Sequence, residues 1–408
     1  MPFTTLAAER SAQSATRSKA HAAFLAAGLP TTSDEVWRYA PLADFNLDRF
    51  VPAEQASGRT PSAFAAALSG HANCIITIDN GHLVSVTGLP AGVTVSEGDA
   101  GVASGIDPAE HYADDAFALL NLALAPSTVR IDVAAGTRVD SPILIVQVAD
   151  GSASFPRVEI IAGERSSARV IEYFEGGDEG LVVPLAEYRV GAGAQLDLVT
   201  YQRLAHTAWH VARTTGYVER DAKLSQSVVG FGGAYDRCRN DAVLVAPGAH
   251  NELRTTFLGA GAQVHDFRTH QFHQSGRTTS VLLSKGAVAD ESRSIYTGLI
   301  EIEKGARRTD ARQTNHNLLL SPHAHADSVP NLDIRENDVV CAHASSVGPL
   351  DELQRWYLES RGVPRSEAER LMIQGFYYEM LANLPAGVAD VVERDVADVL
   401  AAARVGAA

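Results

Sequence analysis

Between residues 72 and 346 the chain is a succession of short apolar or alternating runs with almost nothing helical between them, and that pattern excludes most folds. Examples are Cys74–Ile78, Val129–Val133, Ile143–Val148, Val158–Ile161, Ala168–Phe174, Tyr188–Val190, Gln195–Tyr201, Trp209–Tyr217, Leu332–Ile334 and Val339–Cys341. Their β-branched content and period-two alternation predict strands of mostly four to seven residues. Gly-Ala pairs begin at 193, 233, 248, 261, 286 and 305. Glycine accepts positive φ at a tight corner and alanine fits under a stacked coil, which is the turn chemistry of a solenoid. The pairs are irregularly spaced, so no strict hexapeptide or nonapeptide period exists. So many strands without helices between them exclude a doubly wound sheet, and the stretch is long for one β-sandwich. The reading is mainly β: a parallel β-helix core over 72–346, interrupted by a helical insertion near 107–125 that Pro108 opens.

Helical patterns flank this core. In the N-terminal domain, 1–71, an Ala-rich helix over 5–27 ends at Gly28-Leu29-Pro30. Ser33 to Tyr39 reads as a capped turn carrying Trp37, either a core anchor or a partner anchor, and Pro61 to Leu68 as a short helix. In the C-terminal domain, 347–408, Pro349-Leu350-Asp351 opens a helix to about Ser360 that Arg361-Gly362 ends. Ser366 and Glu369 have the spacing of a capping box, followed by a stripe of Ala368, Leu371, Met372, Gly375, Phe376 and Leu381. After Pro385, a last helix carries Val388, Val391, Val392, Val396, Val399 and Leu400 on one face. This tail is expected to pack mostly on the end of the solenoid and to leave a face for another protein.

Charge and motifs narrow the function. Thirty-four basic residues, only four of them Lys, against 49 acidic ones give −15 with no polybasic tract, which argues against nucleic acid or an anionic membrane as partner. Apolar runs such as Ile143–Val146 fall far short of the roughly 20 residues of a membrane span. The first thirty residues lack an apolar core followed by a small-residue cleavage site, so a cytoplasmic protein is expected. Cys74, Cys238 and Cys341 are too scattered for a disulfide framework or a four-thiolate site. No Gly-x-x-x-x-Gly-Lys-Ser/Thr loop, Gly-x-Ser-x-Gly elbow or His-Glu-x-x-His helix is present, and Gly191-Ala192-Gly193 and Gly230-Phe231-Gly232-Gly233 read as corners.

Fourteen histidines include a dense group, His265, His270 and His273. On a strand, residues 270 and 273 face opposite ways, so hydrogen-bonded or exposed strand histidines are expected rather than a metal centre. His323 and His325 sit among Ser321, Pro322 and Pro330, which suggests a loop. Cys341 and His343 share one strand face about 7 Å apart and offer two ligands suited to iron or zinc. Two ligands do not complete a site, and a buried Cys with a structural His is the plainer alternative.

The stretch 278–384 resembles the SufB/SufD family of iron–sulfur cluster assembly proteins. The resemblance is carried by Gly298 in SIYTGLIEIEKGA, Gln313 to Leu320, Pro330 to Ile334, Asp338 to Ala344, Val347 to Asp351 and Tyr357 to Gly362. Upstream, Glu35-Val36-Trp37-Arg38-Tyr39 is similar to the family's N-terminal signature. Within the family the chain is similar to the SufD branch more than to the SufB branch. It has few cysteines, and it carries Cys341 where SufB proteins usually have a Glu two residues before the equivalent His. The SufD pattern Cys-Ser-His-Gly-Ala-Thr is here Cys341-Ala342-His343-Ala344-Ser345-Ser346.

The resemblance implies a right-handed parallel β-helix with helical terminal domains, and a complex with a SufB-like scaffold and a SufC-like ATPase. It implies a non-catalytic scaffold with ATP hydrolysis in the partner, which accords with the missing phosphate loop. No cofactor would be tightly bound alone; iron or a transient cluster would be held in the complex, with His343 and Cys341 at the SufB interface and His343 a ligand shared with the partner. The ATPase would dock on 350–384, with Trp356, Tyr357 and Phe376 as candidate anchors. Two other readings compete: a β-helix carbohydrate-active enzyme, and a self-associating scaffold without a heteromeric partner.

Overall fold

The structure is a computed structural model that describes residues 13–98 and 108–402, together with positions 3, 6, 9 and 10. Parts of the predicted first helix, residue 107 of the insertion and the last six residues of the C-terminal domain lie outside the described residues. The core is a β-solenoid of about eight turns built from two facing, mainly parallel sheets. From Gln195 onward each coil contributes one strand to each sheet: Gln195–Leu204, Lys223–Gly230 and His250–Gly259 belong to the ten-stranded sheet. Trp209–Val218, Tyr235–Leu244 and Val264–His273 belong to the other.

Corner chemistry follows the sequence reading at five of the six Gly-Ala pairs: Gly193, Gly233, Gly248, Gly261 and Gly305 have φ between 58° and 93°. Ala194, Ala249 and Ala306 are buried beneath the next coil. Gly286 is different. It lies within strand Thr279–Val288, and a Cβ there would sit 1.9 Å from Cζ of buried Phe257. That glycine makes room for a ring rather than for a turn.

Many strands are ten residues long, not four to seven. The sequence understates them because the solenoid interior is partly polar. Asn251 Nδ2 donates to Gln271 Oε1 (2.6 Å), Gln226 Nε2 to Asn251 Oδ1 (3.3 Å) and Thr255 Oγ1 to Ser284 Oγ (2.7 Å), all buried. Paired with each other within and between coils, these side chains stand in for apolar contacts, although Gln271 Nε2 has no partner among the described residues. His325 to Pro330, read as a loop, opens strand His325–Ile334. Pro330 is tolerated there because this strand is the last of its sheet and its outer edge needs no donor.

Helices cover both outer faces. Ala15–Ala27 is capped by Ser14, whose hydroxyl accepts from the Arg17 N–H, and ends at Gly28. It packs on Ala116–Leu124, whose residues are all buried against the second sheet. The polar residue of that helix, Asn121, donates to the Pro156 and Val183 carbonyls at 2.9 and 2.7 Å. Trp37, in the short 3-10 turn Glu35–Trp37, is buried against Phe117 with the Arg237 guanidinium 3.7 Å over its ring; it is a core anchor.

The C-terminal helices Glu352–Ser360, Arg365–Leu381 and Ala386–Ala402 do not close the solenoid end. The last two lie on the outer face of the ten-stranded sheet, where Ile373, Tyr377, Val388 and Val392 meet Tyr173, Tyr201 and Phe231. Tyr377 donates from its hydroxyl to the Phe257 carbonyl at 2.6 Å. The expected capping box is not formed. The helix begins at Arg365 after Pro364, placing Ser366 inside the first turn, and Glu369 accepts instead from Arg365 (3.1 Å) and Arg355 (3.4 Å). Its buried face runs through Ala368, Ile373, Tyr377 and Leu381, leaving Leu371 and Gly375 exposed. The last helix buries Val388, Val391, Val392 and Val396, with Val399 and Leu400 half-buried.

Candidate functional site: the open end of the solenoid

The two ends of the solenoid are built differently. At the first end, His82–Thr87 and Val93–Gly98 pair antiparallel with Cys74–Asp79 and Thr128–Val133 and break the coil pattern. At the last end, His325–Ile334 and Val340–Pro349 are parallel edge strands in full register with the coil beneath. Side chains that point inward in lower coils here belong to an unfinished core layer. Register places Cys341 over Ala311, His343 over Gln313, Ser345 over Asn315 and Val347 over Asn317. In the facing sheet, Pro330 stands over Gly298, Leu332 over Ile300 and Ile334 over Ile302. The lower partners are buried, whereas Leu332, Ile334 and Val347 are exposed. Long open edges with apolar side chains above them are a template for pairing with another chain.

Within this layer, Cys341 packs against the cluster of Ile300, Ile302, Ala306 and Ala311, and burial followed by the nearby Asp310 charge pushes its thiol up. His343 is exposed and makes no hydrogen bond among the described residues. Beneath it, Gln313 is buried with neither amide atom hydrogen-bonded among the described residues, and a Cβ on Gly298 would lie 2.4 Å from its Nε2. Gly298 therefore makes room for an uncommitted amide directly under the imidazole. Ser345 Oγ donates to Ser328 Oγ at 2.7 Å, tying the two sheets together across the end. Gln313 carries part of the family resemblance in the sequence but has no place among its candidate site residues, although a glycine in mid-strand signals close approach.

The family model of the SUF system FeS cluster assembly, SufBD core domain, matches residues 145–376, more than half of the chain. The chain belongs to the SufBD family. Its similarity within the family is to SufD proteins. It is 28% identical over 382 residues to the iron–sulfur cluster assembly protein SufD of Escherichia coli, covering 88% of this chain and 86% of that one. It is 30% identical over 272 residues to SufD of Bacillus subtilis, covering 65% and 62%. A SufBD family protein of Mycobacterium tuberculosis is 28% identical over 376 residues, covering 90% and 87%. Membership supports a role in iron–sulfur cluster assembly for this SufBD protein.

The remaining candidate residues fall elsewhere. Trp356 and Tyr357 are 65% and 55% exposed on Glu352–Ser360, a helix that buries none of its residues. Phe376 instead packs half-buried against the ten-stranded sheet, with Lys285 Nζ 5.2 Å from its ring centre. The dense histidines do not converge. His270 pairs with Glu301 (3.0 Å), His273 bonds through both ring nitrogens to Thr278 and Ser280, and His265 Nδ1 faces Asp236. His323 is exposed, and His325 lies 3.3 Å from Asp327. A cavity of about 510 Å³ under the N-terminal segment does gather carboxylates that look scattered in sequence, among them Asp114 and Asp241. They are bound to Arg213 and Arg239, which hold both carboxyls below their usual range against the opposing effect of burial. A glycosidase acid needs the opposite shift. Among the described residues no helix is long and apolar enough to cross a membrane.

Proposed function

We propose that this protein is the non-catalytic, SufD-type scaffold subunit of a cytoplasmic SufBCD-type complex, joined through its open solenoid end to a SufB-like scaffold. The observation that supports this most is the unfinished core layer on two ten-residue parallel edges, with His343 at its centre. A second β-helix laid end to end would pair both edges and cover Leu332, Ile334 and Val347. In that joint His343 supplies an imidazole that ligates iron or transfers a proton, with a cysteine from the SufB-like subunit opposite. Cys341 lies partly withdrawn into the last coil and makes the smaller contribution. Iron or the nascent cluster is cargo, held only in the complex.

The SufC-like ATPase docks on the exposed apolar surface of Leu353, Trp356 and Tyr357, where a few large anchors would carry most of the contact. Phe376, half-buried on the sheet, offers less surface to such a contact. Coexpression with both partners, anaerobic purification and a visible spectrum test the proposal. His343→Ala should leave folding and complex yield nearly intact and lower cluster content. Full cluster content in the His343→Ala complex would refute the role of the histidine, and a stable homodimer that ignores added SufB-like scaffold would refute the heteromeric joint.

A further inference from the structure

Away from the open end, a second group of ligand-type side chains lies deep within the solenoid. His210, Asp236 and His265 follow one another in register on three successive coils of one sheet, and Cys238 points inward from the same strand as Asp236. All four are buried. His210 Nδ1 is 2.7 Å from Asp236 Oδ1, Cys238 Sγ is 3.5 Å from that oxygen, and Sγ is 3.9 Å from Nδ1. Tetrahedral coordination with metal–N and metal–O bonds of about 2.0 Å and a metal–S bond of about 2.3 Å places such donors about 3.3 to 3.5 Å apart. The three donor atoms thus stand within about half an ångström of the separations that a metal requires.

Four further features single out this group. The Nε2 atoms of His210 and His265 are buried with no hydrogen-bond partner among the described residues, an unusual state for an interior polar atom. Asp236 Oδ2 faces His265 Nδ1 at 3.3 Å, so His265 orients the carboxylate from behind as outer-shell histidines and carboxylates do for metal ligands. Across the interior, Gly230 has no positive φ to explain it, yet a Cβ there would fall 2.3 Å from Asp236 Oδ2. Phe174 against His210 and Phe257 stacked on His265 complete a dry wall.

We propose that His210, Asp236 and Cys238 form a buried mononuclear site for a divalent transition metal of borderline softness, the Zn²⁺ and Fe²⁺ class. One imidazole, one carboxylate and one thiolate suit that class and leave one coordination position for a non-protein ligand. As the metal–sulfur bond forms, the Cys238 thiol proton leaves for solvent and His210 takes the tautomer protonated at Nε2. The site is separate from His343 and Cys341 and does not depend on any partner subunit.

Because the site is enclosed, metal is best supplied during synthesis. The full chain is expressed in zinc-, iron- or cobalt-supplemented medium, purified without oxygen, treated with EDTA and assayed for metal. About one metal per chain should resist the chelator, falling ten-fold or more in Cys238→Ala and Asp236→Asn. The metal recovered from unsupplemented cells distinguishes zinc from iron. Cobalt-loaded protein should show thiolate-to-cobalt charge transfer and four-coordinate d–d bands that Cys238→Ser abolishes and Cys341→Ser leaves intact. Circular dichroism confirms that each variant is folded, and Cys238→Ala is read if Asp236→Asn is not. Wild-type protein without chelator-resistant metal, or a cobalt spectrum unchanged in Cys238→Ser, would overturn the proposal.

Discussion

Gly298→Ala probes the layer under His343 with a single methyl group. The new Cβ would stand 2.4, 2.5 and 2.6 Å from Nε2, Oε1 and Cδ of Gln313, all below any ordinary contact distance. The Gln313 amide is the mobile end of its side chain, and no hydrogen bond among the described residues holds it. Overpacking of this kind costs about 1–3 kcal/mol. With an unfolding entropy of about 2.1 cal/mol/K per residue, that corresponds to a fall in Tm of about 1–4 °C for a chain of this length. The double variant Gly298→Ala/Gln313→Ala should recover most of the loss, because the clash has no second partner. Differential scanning calorimetry of the two single variants and the double variant gives the coupling directly. Additive penalties, agreeing within about 0.5 kcal/mol, would refute the claim that Gly298 exists to seat Gln313.

In the isolated chain, His343→Ala should change stability by less than about 0.5 kcal/mol, since the side chain is exposed and makes no hydrogen bond among the described residues; a larger loss in chemical denaturation would return the histidine to a structural role. Tyr377→Phe leaves the buried Phe257 carbonyl without its hydroxyl donor and should cost about 1–3 kcal/mol; an unchanged melting curve would contradict the seating of the C-terminal helices on the sheet. Burial pushes Glu172 up to about 7, with Gln147 as its donor. Its folded value exceeds its unfolded one, so its stabilising contribution is complete below about pH 4.5 and is lost as pH rises through about 7. Glu172→Gln should therefore gain stability relative to wild type at pH 8 and lose that advantage by pH 5, and a difference independent of pH would count against it. Leu353→Asp together with Trp356→Ala should abolish pull-down of the ATPase without altering the melting point. Truncation after Gly348 is the poorer test, because it strips the apolar cover from Tyr173 and Tyr201.

The solenoid is legible in the sequence where its chemistry is local. Positive-φ corners are occupied by glycine at 193, 248 and 305, and early strands such as Ile143–Ala149 are apolar along almost all their length. Later strands are obscured because Gln226, Asn251, Gln271 and Ser284 are interior residues paired with polar neighbours on other strands, and such pairs have no signature in a single strand. The C-terminal helices announce an apolar stripe but not the surface beneath it. Their seat, the aromatic outer face of Tyr173, Tyr201 and Phe231, is made of residues from distant coils. Period two suffices to place Cys341 and His343 on one face. That this face caps an open layer depends on which coil comes last, a property of the whole stack. His210, Asp236 and Cys238 span two coils, and nothing in their spacing along the chain brings them together.

The end-to-end joint is the central claim, and hydrogen–deuterium exchange tests it most directly. Peptides covering 325–349 are followed in the isolated chain and in its complex with the SufB-like scaffold. Both strands are edges in the isolated chain, so their outward-facing amides should exchange readily there and become protected in the complex. Protection confined to other regions, with residues 325–349 exchanging at the same rate in both states, would contradict the joint.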